Sequence, residues 1–334
     1  MRTVLIMAII ALSFILYITI DGKDISKNTV NQNALFLPAL FKEIDKIIEI
    51  NIQDGKDKLV LSKVEEQWIV KSADDYPANV SVIKQLLLNL TEIKILRIKS
   101  NQQPQHRNLG VNPLGEEGKE RLQITIFNES KKIKEDFIFK KKFHEKNRTF
   151  MRSVRQNEVY ETEGQLDLST DNIKWLDANL INIPSDKISS ITVERTNENF
   201  TLNRKKNSPI YFEVSNLDKR LVEKSATFTS ALAAFLESLR FNDVKKKSLI
   251  ENADVKSRHV FFLSNMNEHV EIIDYETKFG IFTEFNLSDS LSISSNYDYT
   301  KPELLEKFVF LLPKYKRRLL EKRISDLTKK RESK

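Results

Sequence analysis

The sequence predicts an α+β protein, in which an N-terminal transmembrane helix is followed by two tandem, repeat-related units of antiparallel sheet plus helices. Three observations lead to this fold class. The chain begins with a long apolar stretch, the next segment alternates apolar and polar residues before a helical stripe begins, and the same order of patterns returns 141 residues later. Strands that come in runs and are then followed by helices are typical of α+β folds rather than of βαβ winding.

Residues 1–21 are predicted to form a transmembrane anchor. Residues 3–20 carry no charge, and eighteen residues of α-helix span about 27 Å, close to the hydrocarbon thickness of a bilayer. The alternatives are a buried helix or a cleaved signal peptide, but no small-residue cleavage pattern precedes Asp21. Because Arg2 precedes the span, we expect a single-pass protein of the inner (cytoplasmic) membrane, with its N-terminus inside and the bulk of the chain periplasmic or extracytoplasmic. A polar stalk over 22–34 follows the span.

The first α+β unit is predicted over residues 35–182. Its opening strands show period two, because Ile50 and Ile52 alternate with polar residues and the alternation resumes after an Asp-Gly turn at 54–55. A third strand is predicted at 67–70. These patterns indicate a hairpin extended by one more antiparallel strand.

Helices are predicted after these strands in each half of the chain. Apolar residues recur at helical spacing from Val80 onward, and Asn79 has a side chain suited to cap a helix N-terminus. The corresponding helix of the second half is predicted over 228–239. After further strands, each half is predicted to end in a helix that runs up to a proline, over 170–184 and over 300–313.

The second α+β unit is predicted over residues 183–313. The sequence "DKIIEINI" at 45–52 returns as "DKISSITV" at 186–193, and Leu202 stands 141 residues after Leu61. A chance likeness between two α+β stretches is the alternative. The shared order of elements favours a tandem repeat, and it predicts that any functional site lies where the two copies differ or meet.

The charge distribution argues against nucleic acid as a partner. The formal net charge is +7, but residues 314–334 hold ten basic and three acidic residues, which leaves 44 of each in the rest of the chain. A body without net charge lacks the broad basic face on which phosphate binding usually depends. There is no Cys, so disulfides, thiolate metal sites and cysteine nucleophiles are excluded.

The basic segment 314–334 is predicted to be an amphipathic tail. Its apolar residues fall near helical spacing, with cations on the other face. Such a helix can lie on anionic lipid, dock on an acidic groove of a partner, or remain a solvated terminus. The residues predicted for lipid or partner contact are Lys316, Arg317, Arg318, Lys322 and Arg323.

No catalytic, cofactor-binding or metal-binding residue is predicted, and we expect a protein that is not an enzyme. The four His do not pair at helical spacing, and neither a phosphate-binding loop nor a nucleophile elbow occurs. Trp68 and Trp175 have the chemistry to stack on a sugar, but core anchoring is the favoured role. A hydrolase or transferase with two carboxylates hidden between the copies is the enzymatic alternative.

Several short motifs have a familiar order. They are Ile47-Ile48-Glu49-Ile50, Trp68-Ile69-Val70, Tyr76-Pro77-Ala78-Asn79, Leu109-Gly110-Val111 with Pro113, and Trp175-Leu176-Asp177. In this order they resemble an uncharacterised bacterial family of unknown function, DUF4340, in which Asp usually stands at the position of Asn79. The motifs mark packing and turns, so the resemblance assigns no site residue.

The resemblance implies a partner. Members of the family are often encoded beside an ABC-type permease and ATPase like those linked to gliding motility. We therefore expect a membrane-anchored, extracytoplasmic accessory or scaffold subunit that acts by protein–protein interaction, with an ABC-type permease/ATPase complex as its partner. An envelope protein that binds carbohydrate or lipid is the alternative.

Overall fold

A computed structural model describes residues 34–116, 121–130, 132–141, 147–164, 166–206, 208, 211–264, 267–292, 298–299 and 302–331. Strands account for 44% of these residues and helices for 25%. The predicted fold class is therefore corrected to one that consists mainly of antiparallel sheet, with helices as short connecting pieces.

The predicted transmembrane helix is also corrected. No helix in the described part of the chain is long and apolar enough to cross a membrane. The longest described α-helix has 12 residues, which corresponds to about 18 Å, whereas a bilayer core is about 30 Å thick. Residues 3–20, where the span was predicted, lie outside the described residues. The single-pass inner-membrane location and a membrane partnership through a span depended on that helix and are not supported.

The helices are few-turn elements. The α-helices are α1 (Val80–Thr91), α2 (Gln105–Leu109), α3 (Ala226–Ser230), α4 (Asp289–Ser292), α5 (Pro302–Lys307), α6 (Lys314–Leu320) and α7 (Ile324–Leu327). The 3-10 helices are η1 (Leu40–Lys46), η2 (Lys71–Ala73), η3 (Asn172–Trp175), η4 (Ser185–Lys187), η5 (Ala233–Leu236) and η6 (Lys247–Ile250). The helix predicted from Val80 is confirmed.

The strands pair as antiparallel ladders. The first eleven are β1 (Ile47–Gln53), β2 (Lys58–Val64), β3 (Gln67–Val70), β4 (Tyr76–Pro77), β5 (Lys94–Ser100), β6 (Leu122–Asn128), β7 (Ile133–Lys141), β8 (Arg148–Ser153), β9 (Val159–Glu163), β10 (Asn179–Asn182) and β11 (Ile188–Arg195). The others are β12 (Glu198–Arg204), β13 (Phe212–Val214), β14 (Leu221–Glu223), β15 (Leu239–Arg240), β16 (Asp243–Lys246), β17 (Asp254–Leu263), β18 (His269–Thr277), β19 (Gly280–Leu287), β20 (Asp298–Tyr299), β21 (Phe308–Leu311) and β22 (Thr328–Lys330).

The helices predicted over 170–184, 228–239 and 300–313 are wrong over much of their length. The first contains only the single-turn η3 before strand β10, the second breaks into α3, η5 and strand β15, and the third changes from α5 to strand β21. Tertiary pairing explains the first case, because β10 lies between β15 and β20 in a three-stranded sheet. There Leu180 and Ile181 are both buried although they are adjacent in sequence.

The chain divides into two compact units. Unit 1 consists of the described parts of Met1–Lys46, Gln85–Thr125 and Lys134–Asp167, and unit 2 of those of Ile47–Lys84, Ile126–Ile133 and Leu168–Lys334. These units cross the predicted boundary between residues 182 and 183. The limits of the two predicted α+β copies therefore stay predictions.

Unit 1 contains a sheet run in the order β7-β8-β9-β5. Its core includes Val111, Ile138 and Val159, which are buried together. Phe36 packs edge-on against Phe137, with ring centroids 5.8 Å apart. Burial of these apolar side chains is the main source of stabilisation for unit 1.

Unit 2 contains an eight-stranded sheet in the order β13-β12-β11-β17-β18-β19-β21-β16 and a second run in the order β4-β3-β2-β1. A three-stranded sheet, β15-β10-β20, and a two-stranded sheet, β14-β22, complete it. The C-terminal segment is part of this body, since β22 pairs with β14.

The two halves of the chain share strand order and register. The run β3-β2-β1 corresponds to β13-β12-β11, and β7-β8-β9-β5 corresponds to β18-β19-β21-β16. Ile50 pairs with Leu61, and Ile191 pairs with Leu202. Both residues of the second pair stand 141 positions after those of the first, so the repeated spacing in the sequence is also a repeated register in the sheets.

Candidate functional site

Residues 76–79 and 175–177, which belong to two of the sequence motifs, meet in unit 2. The backbone N–H of Asn79 donates to the carbonyl oxygen of Trp175 at 2.7 Å, and Ala78 forms an isolated antiparallel bridge with Leu176. Trp175 is fully buried, and its indole Nε1 donates to the carbonyl oxygen of Ser169 at 2.9 Å. Two segments almost one hundred residues apart therefore form one wall.

Asn79 also determines where α1 begins. Its Oδ1 accepts the backbone N–H of Ser81 at 3.1 Å and that of Val82 at 3.4 Å. These are donors that a helix cannot satisfy internally. The predicted N-cap is confirmed. Pro77 is tolerated in strand β4 because β4 is an edge strand, with a neighbouring strand on one side only.

The wall formed by these motifs borders a groove with a cavity volume of about 920 Å³. We call it the unit 2 groove. Residues of β3, β4, β10, β15 and α5, together with Phe308, line it, so it receives residues from both sides of the predicted 182/183 boundary. Its volume is near the upper end of the range of about 300–1,000 Å³ found for ligand sites.

The floor of the groove is apolar and well packed. Tyr76, Leu180, Leu239 and Phe308 line it and are buried. The ring of Tyr76 lies edge-on to Phe308 at a centroid distance of 5.0 Å and to Phe241 at 5.4 Å. Such edge-to-face pairs add to the stability from burial, so Tyr76 joins the groove to the aromatic core beneath it.

The acidic side of the rim is largely occupied by internal contacts. Asp75 forms ion pairs with Lys71 at 3.2 Å and Lys246 at 3.6 Å. Asp177 accepts hydrogen bonds from the backbone and side-chain amides of Asn179. Asp75 is therefore charge-compensated, whereas Asp177 is hydrogen-bonded but keeps its negative charge.

The basic side of the rim is different. Arg240 and Lys307 line the groove and are exposed. Neither side chain makes an ion pair or hydrogen bond to another described residue. Glu303, also on the rim, is exposed and likewise unpaired within the described chain. An apolar floor with a few polar groups at its edge is the usual construction of a binding site.

A second polar cluster lies buried inside unit 2. Asp274 accepts hydrogen bonds from Ser257 at 3.2 Å and Thr283 at 2.7 Å, and it pairs with Arg317 at 3.4 Å. An Asp directly after the buried pair Ile272 and Ile273 of strand β18 is the sequence signal that could have identified this cluster. Its partners come from distant segments, which the sequence pattern does not reveal.

His259 lies beside this cluster but does not form a catalytic triad with it. The ring Nε2 is 3.0 Å from the carbonyl oxygen of Leu320, and Nδ1 is buried without a partner in the described structure. Burial lowers the pKa of His259 to about 4. Because Ser257 contacts Asp274 rather than the imidazole, the arrangement lacks the hydrogen-bond chain that activates a serine.

The predicted contact residues of the tail have mixed positions. Lys316 is buried, and its Nζ donates to the carbonyl oxygens of Ala234, Phe235 and Glu237. Arg317 donates to the carbonyl oxygen of Ile281 at 2.7 Å. These two cations therefore bind the protein's own fold.

The other three predicted contact residues lie nearer the surface. Arg318 and Arg323 are exposed, and Lys322 is half-buried. The structure does not bring the five residues together on one face. For these three cations, contact with lipid or a partner stays a prediction.

The remaining candidates from the sequence occupy structural positions. Trp68 and Trp175 are both buried, as core anchors would be. His106 is buried with its Nε2 2.9 Å from the carbonyl oxygen of Asn157, and His144 lies outside the described residues. Within the described chain no group of three or more His, Cys, Asp or Glu residues is placed to hold a metal ion.

A comparison with protein families identifies a relationship. The family model described as "Domain of unknown function (DUF4340)" matches residues 68–259. Searches of curated proteins and of solved structures found no match. The matched region covers more than half of the chain and includes the two motifs that form the groove wall, so the chain belongs to the DUF4340 family.

Proposed function

We propose that the protein acts by binding, as an accessory or scaffold subunit that receives a segment of a partner protein in the unit 2 groove. The observation that carries the proposal is the convergence of two motifs, residues 76–79 and 175–177, on one wall of an apolar-floored groove. A wall joined by backbone hydrogen bonds is preformed, which reduces the entropy lost on binding.

An ABC-type permease/ATPase complex is the partner proposed for this groove. The support is the family resemblance. Membrane anchoring is not part of this proposal, and the interaction requires only that the rim and floor of the groove reach the partner.

The carbohydrate alternative has less support. Sugar stacking needs an exposed aromatic face, and Trp68 and Trp175 are both buried. The tail adds little support for lipid binding, because its Lys316 and Arg317 already bind carbonyl oxygens of the fold. Protein binding in the groove requires neither the tryptophans nor these cations.

Co-purification tests the proposal. The full chain is co-expressed with an ABC-type permease and ATPase from the same genome, and the recovered subunits are quantified. Gln67→Trp places a bulky side chain on an exposed position of the groove, whereas Lys58→Trp does so at an exposed position of the neighbouring strand β2, outside the groove lining. We expect Gln67→Trp to lose most of the recovered subunits and Lys58→Trp to retain them. Equal recovery with both variants, or no recovery with the wild type, contradicts the proposal.

A further inference from the structure

The unpaired charges of the unit 2 groove are arranged in a way that restricts what can occupy it. Asp75 is charge-paired with Lys71 and Lys246, whereas Asp177 accepts hydrogen bonds from Asn179 and keeps its charge. The charged side chains of the lining left without a partner in the described structure are two cations, Arg240 and Lys307, and one acid, Glu303. The groove therefore offers a ligand two unpaired cations, next to the hydrogen-bonded Asp177 and the unpaired Glu303.

Each unpaired cation stands next in sequence to a buried apolar residue of the floor. Arg240 follows Leu239 in strand β15, and Lys307 precedes Phe308 at the end of α5. Leu239 and Phe308 both line the groove. A ligand in this groove therefore meets a cation next to an apolar residue at two places. These are Arg240 beside Leu239 and Lys307 beside Phe308.

An extended peptide has the matching pattern, because its successive side chains point to opposite sides. An apolar side chain can enter the floor while its neighbour, directed to the rim, reaches a cation. A carboxylate suits that position because arginine binds it through two parallel hydrogen bonds, which adds geometric selectivity.

We infer that the occupant of the unit 2 groove is an extended peptide segment of a partner protein in which an Asp or Glu side chain stands next to an apolar residue, with Arg240 and Lys307 receiving the carboxylate. This inference rests on the proposed function and specifies the partner segment. Asp177 and Glu303 keep their charge and oppose a polyanion, so the groove selects an isolated acidic group rather than a strongly acidic chain.

Peptide binding tests the inference. The probes are two dye-labelled peptides, acetyl-Val-Asp-Val-Asp-Val-amide and the same peptide with Asn in place of Asp, and binding to the full chain is followed by fluorescence anisotropy. We expect the Asp peptide to bind about tenfold more tightly, as a charge-assisted hydrogen bond provides. Equal affinity for the two peptides, or no binding of either, overturns the inference.

Variants locate the binding. Arg240→Gln and Lys307→Gln should each weaken the Asp peptide by about three- to tenfold and leave the Asn peptide almost unchanged. Arg155→Gln removes an exposed arginine outside the groove lining and should change neither affinity. An unchanged thermal unfolding midpoint shows that each variant folds. If Arg240→Gln and Arg155→Gln weaken binding of the Asp peptide equally, the affinity depends on the net charge of the protein and not on Arg240. That result would contradict the inference.

The outcomes separate this inference from the proposed function. If the Gln67→Trp effect on co-purification holds but the Asp peptide has no advantage, the groove binds a partner through a different segment. If the Asp peptide binds through Arg240 and Lys307 but no permease or ATPase is recovered, the peptide chemistry stands and the ABC-type partner does not.

Discussion

Substitution of Lys316 by Met should destabilise unit 2 substantially. Lys316 Nζ donates to the carbonyl oxygens of Ala234 at 3.1 Å, Phe235 at 2.8 Å and Glu237 at 2.6 Å. These carbonyl oxygens belong to or follow η5, where a cation also interacts favourably with the unsatisfied C-terminal groups. Burial disfavours the charged ammonium group and lowers the pKa of Lys316. The three hydrogen bonds offset the free energy that this burial costs.

The magnitude follows from these contacts. A hydrogen bond from a charged donor contributes about 1.5–3 kcal/mol, and a buried acceptor that loses its donor costs about as much as the bond itself. Met retains the apolar stem, so little packing is lost. We expect the free energy of unfolding to fall by about 3 kcal/mol. This is less than the sum of the contributions of three separate hydrogen bonds, because such contributions are not additive.

Urea denaturation followed by circular dichroism measures this change. The matched control is Lys314→Met in the same helix, where the lysine is exposed; its effect should stay within about 0.5 kcal/mol. If Lys316→Met and Lys314→Met have the same small effect, the C-terminal segment is not fastened to unit 2 in the way described. The reasoning from the three carbonyl contacts would then be wrong.

Three other predictions concern the pH response, the cap and the groove wall. The pKa of His259 is about 4 in the folded protein, whereas its ordinary value is 6.5. As the pH falls, this imidazole is therefore protonated in the unfolded chain before it is protonated in the folded protein. Stability should therefore fall as pH drops from 6.5 to 4, by about 3 kcal/mol in total, and pH-dependent urea midpoints should show a shallower slope in His259→Gln. Asn79→Ala should lower the free energy of unfolding by about 1 kcal/mol, whereas Asn79→Asp should leave it unchanged. If thermal unfolding shows that both variants lose the same stability, Asn79 does not act as the cap. Tyr76→Ala should lower the free energy of unfolding by about 3–4 kcal/mol through the lost aromatic contacts, and it should abolish binding of the Asp peptide. Normal binding by this variant would show that Tyr76 does not contribute to the groove.

Local patterns predicted the strands and the helix of residues 47–91 well. The alternation at Ile50 and Ile52 is confirmed as a strand, and both residues are completely buried. Asn79 caps α1 as expected, since capping depends on a side chain and the next two or three backbone amides. Such features are contained within a few residues, so a sequence pattern is sufficient to identify them.

The later helices were wrong because strand pairing decided the outcome. Residues 179–182 have apolar neighbours compatible with a helical stripe, yet they pair with β15 and β20 and become a strand. Short apolar runs do not distinguish a helix from a buried strand. The partners that decide between them come from segments about 60 and 120 residues away.

The groove and the role of the tail depend on the same long-range contacts. The sequence marked Tyr76 and Asp177 as turn and packing signatures without showing that they share a wall. It marked Lys316 as a surface cation, although its three acceptors lie about eighty residues earlier in the chain. Charge patterning describes composition along a segment, whereas the partner of each charge is set by tertiary structure.

Site-specific photo-crosslinking tests the central claim most directly, namely that the unit 2 groove is where a partner protein binds. A photoreactive phenylalanine analogue is placed at Asn179, an exposed position of the groove lining, and separately at Lys58, an exposed position outside it. Each full-length variant is irradiated with the co-expressed permease and ATPase, and crosslinked subunits are identified by mass spectrometry. The account predicts a crosslink to one of these subunits from position 179 and none from position 58. A crosslink from position 58 alone, or equal yields from the two positions, would contradict it.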